Sequence, residues 1–319
     1  MRAFDELVQR LCLRKEQELG GLSEGARAEL ELAVRADPSA FVSSPADEAF
    51  GLVVQALERH EAAAQGEDLL DDEAYFTARA ARLARLERDC NAALSVDENC
   101  LDAALIGLLS RDLEPERLLG ELIALDESTG TLPDTEDDLW EDVYLRGHLR
   151  IKAAIVRTCL DSARYRLTAE RGEQLLLQAP SDVLGVRHSC LLAYARLEDE
   201  DAFEALDARF ARQGSAWRHL GHTILLYKLG RIGAARRALS GYVRTCAGGA
   251  YALLRPVLAD VYLPDRPETR PLSFEEATLA IHEADPIIVD VPDFVSWAQL
   301  QGDLLYQAED FARRNDLDW

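Results

Sequence analysis

The stretch Trp217-x2-Leu220-Gly221-x2-Ile224, continuing through Tyr227-Lys228-Leu229-Gly230 to Ala235-x3-Leu239, decides how this chain folds. It reads as a pair of helices over about residues 215–229 and 231–246. The pair before it, about 183–197 and 199–212, carries the same landmarks 33 residues earlier. Tyr194 and Tyr227, Ala202 and Ala235, Ala205 and Ala238, and Leu206 and Leu239 all share that offset. Coincidences at one period are the mark of an internal repeat. The alanines have a physical reason, since helices that cross closely leave no room for larger side chains. A further pair is expected over about 139–159 and 164–178.

Working outward, Phe4, Leu7, Val8 and Leu11 form one stripe of a helix over residues 2–19, closed by Gly20-Gly21. Ser23 is placed to cap a second helix running to about Ala36 and stopped by Asp37-Pro38. Ser43-Ser44-Pro45 opens a third, to about Gln65, because proline is tolerated in a first helical turn. The acidic stretch Glu67 to Glu73 reads as a solvated link before a long helix over about 73–95. Ala92 to Ala103 reads as the end of one helix, a polar turn and the start of the next. Leu113 to Leu125 supplies the returning helix. Residues 128–138 form the clearest loop. Beyond Gly248-Gly249 a helix is expected over 250–262, then a proline-rich link. Ser273 with Glu276 makes a capping box for a helix to about Ala284. A last helix is expected over 293–313, its tail placed to close an exposed apolar end. The expected organisation is acidic helical repeats over 1–127, the loop 128–138, repeats with basic first helices over 139–262, and capping helices over 263–319.

The 319 residues are 48 % apolar and 29 % charged, ordinary for a soluble chain, and rich in the helix formers Ala, Leu, Arg and Glu. Net charge is −23, a field that repels nucleic-acid phosphate and anionic lipid. No nucleic-acid or membrane partner is therefore expected. The charge is uneven. Residues 1–143 hold 13 Lys and Arg against 34 Asp and Glu, residues 144–237 hold 16 against 10, and residues 238–319 hold 6 against 14. The opening Met1-Arg2-Ala3-Phe4-Asp5-Glu6 places acids where a secretory signal needs an apolar run. No segment approaches the 18 or so apolar residues of a membrane span. Six scattered cysteines without a Cys-x2-Cys pair read as buried thiols of a reducing cytosol. A cytoplasmic location is expected.

The Trp217 repeat resembles a tetratricopeptide repeat. The order of further landmarks is similar to a group of bacterial tetratricopeptide-fold proteins, and more loosely to the suppressor-of-tumorigenicity family. Those landmarks are Ala93-Leu94-Ser95-Val96-Asp97-Glu98-Asn99-Cys100, the Asp-rich loop before Leu139-Trp140, Tyr144-Leu145-Arg146, Ala179-Pro180-Ser181-Asp182, Gly185-Val186-Arg187 and Ser273-Phe274-Glu275-Glu276-Ala277. They cover about residues 80–300. The step from Gly221 to Ala235 is two residues longer than the usual repeat, and the first 75 residues carry no landmark. The resemblance implies an all-α, right-handed superhelical solenoid of antiparallel helix pairs, with a groove that holds a protein or peptide. It implies no enzyme and no cofactor.

In such repeats the first helices line the concave face, so Arg218 and His222 are expected to point into it, with His219 beside them. One repeat earlier, 33 residues back, Arg218 falls on Gly185, with Arg187 and His188 nearby. One earlier still, Arg146, His148, Arg150 and Lys152 stud the first helix. A basic groove made of Arg150, Arg187, His188, Arg218, His219 and His222 would suit an acidic segment, because the guanidinium fork grips carboxylates bidentately. Against this stands the bland reading, in which the arginines pair with the chain's own acids. His219 and His222, at i and i+3, approach metal-ligand spacing, yet neither a third ligand nor a His-Glu-x-x-His pattern accompanies them. The acidic runs lack the order of a calcium loop. No Gly-x-Ser-x-Gly or phosphate-binding Gly-rich loop occurs. Three functions remain: an adaptor for an acidic segment, a self-associating structural protein, and a metal-dependent enzyme built on His219 and His222.

Overall fold

Helix is the only regular structure among the described residues, which in this computed structural model are 3–257 and 259–319. Met1, Arg2 and Leu258 lie outside them, as does the side chain of Asp68. The parts of the expected 2–19 and 250–262 helices that fall on Arg2 and Leu258 are therefore outside the described residues. No helix among these residues is long and apolar enough to cross a membrane.

The chain divides into two compact units. The first comprises Met1–Ile151 with Val261–Asp265, and the second Lys152–Asp260 with Arg266–Trp319. The 128–138 loop is thus internal to the first.

The first unit holds α1 (Ala3–Leu19), α2 (Glu24–Ala36), α3 (Pro45–Ala64), α4 (Asp72–Val96), α5 (Leu101–Leu109) and α6 (Pro115–Ser128). It also contains the opening turns of α7 (Arg146–Asp161). The starts follow the capping residues. The hydroxyls of Ser23 and Ser44 accept from the N–H groups of Ala26 and Asp47, and the Asp71 carboxylate accepts from Ala74. Consecutive helices then pack on one another. Ala49, Val53, Leu86, Cys90 and Ile106 form one core, and Leu7, Leu11, Val34, Phe50 and Val54 another.

The expected solvated link at 67–73 differs at its first residue. Glu67 is buried in a short 3-10 turn, where its carboxylate receives Arg82 at 2.7 and 3.0 Å. The expected 139–159 helix is also broken. Asp138 accepts from the Trp140 N–H and Asp142 from that of Tyr144, and these side-chain bonds accompany a short 3-10 helix, Leu139–Glu141, and a turn before α7 begins.

The second unit contains the rest of α7, then α8 (Tyr165–Gln178), α9 (Val186–Leu197), α10 (Glu200–Arg209), α11 (Ala216–Lys228), α12 (Ile232–Thr245), α13 (Gly249–Leu254), α14 (Phe274–Val289), α15 (Asp293–Gln299) and α16 (Leu304–Arg314). The paired helices of the 33-residue repeat are present, with α9 on α10 and α11 on α12. Leu206, Ala235 and Leu239 are buried as the repeat requires, but Ala205 is exposed and Ala202 and Ala238 are half-buried. Small size therefore serves the crossing at only part of the repeated positions. Gly172 is the tightest approach. A Cβ there would lie 2.2 Å from Cys190 Sγ, so α8 meets α9 only because the side chain is absent.

Three C-terminal expectations shift. The helix after Gly249 ends at Leu254 rather than near 262. α14 runs through Pro286 to Val289, past the expected end at Ala284. The carbonyl of Pro286 accepts from the Tyr165 hydroxyl at 3.1 Å. The expected 293–313 helix is two, α15 and α16, parted by a turn in which Gly302 takes φ +55°. The capping box is half formed. Ser273 accepts from the Glu276 N–H, while the Glu276 carboxylate turns to the N–H groups of Leu272 and Ala216.

All six cysteines are free thiols; five are buried and Cys12 half-buried. Burial pushes Cys90 and Cys246 up to about 12, which keeps them protonated and unreactive.

Candidate functional site

Arg150, near the start of α7, belongs to the first unit and is 4 % exposed. Its Nε donates to the Asp265 carboxylate at 3.1 Å. Nη1 donates to Asp102 at 2.9 Å and to Glu6 at 3.2 Å, and Nη2 to Glu6 at 2.6 Å. Every guanidinium nitrogen is already engaged by a carboxylate, so Arg150 is a buried tie rather than a gripping residue for a guest. This corrects the sequence expectation. Its partners lie 144, 48 and 115 residues away in the chain, where no local pattern could announce them. Burial would raise the Glu6 carboxyl, but Arg150 and Arg10 hold it below its ordinary range.

The other five expected residues sit on α9 and α11 of the second unit. His188 is 8 % exposed and stacks on Trp217 with ring centroids 4.4 Å apart. Burial, reinforced by Arg266 and Arg187, lowers its pKa well below the usual histidine value, so it is a neutral core ring. Arg187 lies 3.7 Å from Asp182 with its guanidinium over Phe210. Arg218 donates to Asp207 on α10 at 2.9 and 3.1 Å. His222 stacks on Phe203, also on α10, and its Nε2 is 3.9 Å from Glu204. His219 is half-buried one turn before it. Burial and the neighbouring Arg218 lower both histidines. Arg218 and His222 therefore turn towards α10. No group of three or more His, Cys, Asp and Glu among the described residues is placed to hold a metal ion.

α14 packs on α9 and α11, meeting α11 at Ala216 and Trp217. At its first turn Glu276 accepts from the Ala216 N–H at 2.9 Å, the start of α11. Two turns on, Glu283 accepts from Trp217 Nε1 at 3.1 Å. Arg266 clamps the same carboxylate bidentately at 2.7 and 2.8 Å and donates to the carbonyls of Leu184 and Gly185 at 2.9 and 2.6 Å. Gly185 is required here: its φ is +65°, and a Cβ would lie 2.5 Å from Arg266 Nη1. Sequence reading missed Arg266 and Glu283 because each lies outside the repeat it serves.

A second missed feature is compositional. Residues 208–259 contain nine Lys and Arg and not one Asp or Glu, in a chain with 58 acids. α12 lies wholly within that run. It buries Ala235, Leu239 and Tyr242 and turns Arg236, Arg237 and Arg244 to solvent. Arg236 Nε donates to Gln301 Oε1, and Arg244 Nε to the carbonyl of Ser240. Among the described residues none of the three is ion-paired with a carboxylate.

In the first unit a cleft of about 470 Å³ opens between α1, α2 and residues 141–146, over Val8, Cys12 and Leu13. Its rim arginines Arg27 and Arg35 are tied to Glu16, and to Glu31 and Asp5.

No family model matches the chain, and no curated protein and no solved structure is matched by it.

Proposed function

We propose that the chain is a non-enzymatic adaptor built from tetratricopeptide-like helix pairs, stacked as a solenoid, that binds an acidic segment of a partner protein. The observation that carries this reading is the exposed trio Arg236, Arg237 and Arg244 of α12, which no carboxylate among the described residues pairs, in a chain of net charge −23. Five other cations of the acid-free run 208–259 are paired with acids outside it. A protein this acidic gains solubility from its charge, and a surface of the opposite sign serves recognition and steering rather than solvation. The 33-residue offset and the paired helices α9 with α10 and α11 with α12 support the repeat. α14 supports the chemistry: it is a helix with acids two turns apart, held by α11 and Arg266 through Glu276 and Glu283.

Fluorescence anisotropy with a labelled oligoglutamate peptide, against a matched oligolysine peptide, tests the reading. The acidic peptide binds and releases as salt rises from about 50 to 300 mM, since exposed charge pairs are screened over a Debye length of about 10 Å at 0.1 M. Preference for the basic peptide, or no binding of the acidic one at low salt, removes the proposal. A second reading, self-association, draws on the 34 acids of residues 1–143 as the acidic segment supplied by another copy. Sedimentation at low salt decides it: a monomer at every concentration excludes it.

A further inference from the structure

We infer that the solvent face of α12 is where that acidic segment docks, and that the segment is an amphipathic helix with carboxylates two turns apart. The inference rests on the adaptor reading and adds to it the surface and the shape of the guest.

α12 presents Arg237 and Arg244 on the side opposite its core contacts and Arg236 on the flank, all three exposed. Arg237 and Arg244 are seven residues apart, so about 10 Å separates them along the axis at 1.5 Å per residue. A helix laid alongside meets that spacing with acids at i and i+7. The same chain already holds such a helix, since Glu276 and Glu283 of α14 have that separation. Between the arginines the face carries only Ser240 and Gly241, and Gly233 precedes them. Small side chains let a second helix approach to the short end of the usual 8–10 Å interaxial range. Apolar contacts lie at the margins. Ile232 is 39 % exposed at the start of α12, and Leu300, 82 % exposed, is the neighbour of the Gln301 that Arg236 touches. The guest helix therefore carries apolar residues flanking its acids. Guanidiniums not paired with a carboxylate also suit nucleic-acid phosphate, but the net charge of −23 opposes a polyanion that must approach along its whole length.

The test uses the full chain and a helical alanine-glutamine peptide with glutamates at i and i+7 and one leucine. The comparison ligands are a scrambled peptide with the glutamates at i and i+2, and a single-stranded oligonucleotide of equal charge. Binding is compared for the wild type, Arg236→Ala/Arg237→Ala/Arg244→Ala, and a control removing three exposed arginines elsewhere, Arg88→Ala/Arg117→Ala/Arg171→Ala. All six positions are exposed and alanine favours helix, so the fold is retained; melting temperature verifies this. The expected result is at least tenfold weaker binding in the α12 variant, less than threefold in the control, and a preference for the i, i+7 peptide. Equal losses in both variants would mean that net charge alone acts, and that overturns the site. Unchanged binding in the α12 variant places the docking surface elsewhere while the adaptor reading stands. Oligonucleotide binding that exceeds peptide binding and is lost with the α12 arginines overturns the guest. Failure of the wild type to bind any acidic peptide removes the adaptor reading itself.

Discussion

Gly172 and Gly120 both lie inside helices, yet opposite outcomes are expected when each becomes alanine. Replacing glycine in a helix interior stabilises by up to about 1 kcal/mol through backbone entropy. At Gly120 no atom lies within 4 Å of the new Cβ, so that gain stands alone. At Gly172 the Cβ would sit 2.2 Å from Cys190 Sγ in a buried contact, and overpacking of this kind costs about 1–3 kcal/mol. Gly120→Ala is therefore expected to raise the urea midpoint and Gly172→Ala to lower it. A Gly172→Ala midpoint at or above wild type would contradict the α8–α9 packing. Asp182 gives a pH signature. Burial pushes its carboxyl up to about 6 against the pull of Arg187 and Arg266 and the N–H groups of Val186 and Arg187. A carboxyl raised in the folded state favours folding below its ordinary value of 3.8, and that contribution is lost as pH rises through about 6. Asp182→Asn keeps an acceptor for the Val186 N–H and removes the titration. Its stability relative to wild type is expected to climb between about pH 4 and 6 and stay level above; a flat difference across that window would refute the assignment.

At the scale of elements the sequence announced its helix starts well, because a cap is a local event. Ser23, Ser44 and Ser273 each accept from the N–H group three residues on, as their spacing predicts. Helix ends and breaks were less legible. Residues 139–145 hold a short 3-10 helix and a turn through Asp138 and Asp142, and the described parts of the link after α13, 255–257 and 259–272, are irregular. Both depend on competition between side chain and backbone that periodicity does not register. The expected site was the least legible part. Arg218 and His222 follow the repeat's spacing, but Asp207 and Phe203 of α10 draw them aside. α14 packs beside them on Ala216 and Trp217, its Glu283 held by Arg266 of the preceding link. Removing one member of a buried pair costs about 3–5 kcal/mol, because the other charge is left buried alone. Arg266→Ala is expected to destabilise on that order in urea unfolding. Arg266→Met with Glu283→Gln, which leaves an acceptor for Trp217 Nε1, recovers at least half. A double variant no better than Arg266→Ala would show that the carboxylate is not what Arg266 neutralises.

For the whole molecule, charge is the property that the sequence carries most openly and that structure resolves most sharply. The basic centre was visible as 16 basic against 10 acidic residues over 144–237. Which of those side chains remain for a partner was not, since pairing depends on residues distant in the chain. Arg150 is absorbed by Glu6, Asp102 and Asp265, and Arg218 by Asp207. Arg209, Arg212, Lys228 and Arg231 of the acid-free run are likewise paired, with Glu173, Glu204, Glu198 and Glu200, whereas among the described residues no carboxylate is paired with the exposed Arg236, Arg237 and Arg244. The proposed acidic guest meets the outer face of α12 while α14 stays seated on α9 and α11. Heteronuclear NMR of the arginine Nε–H and tryptophan indole signals during titration with the glutamate i, i+7 peptide tests it most directly. The account predicts saturable shifts at Arg236, Arg237 and Arg244, with the Trp217 indole and Arg266 signals unmoved. Shifts at Trp217 and Arg266 with the α12 arginines silent would contradict it, because the guest would then have displaced α14.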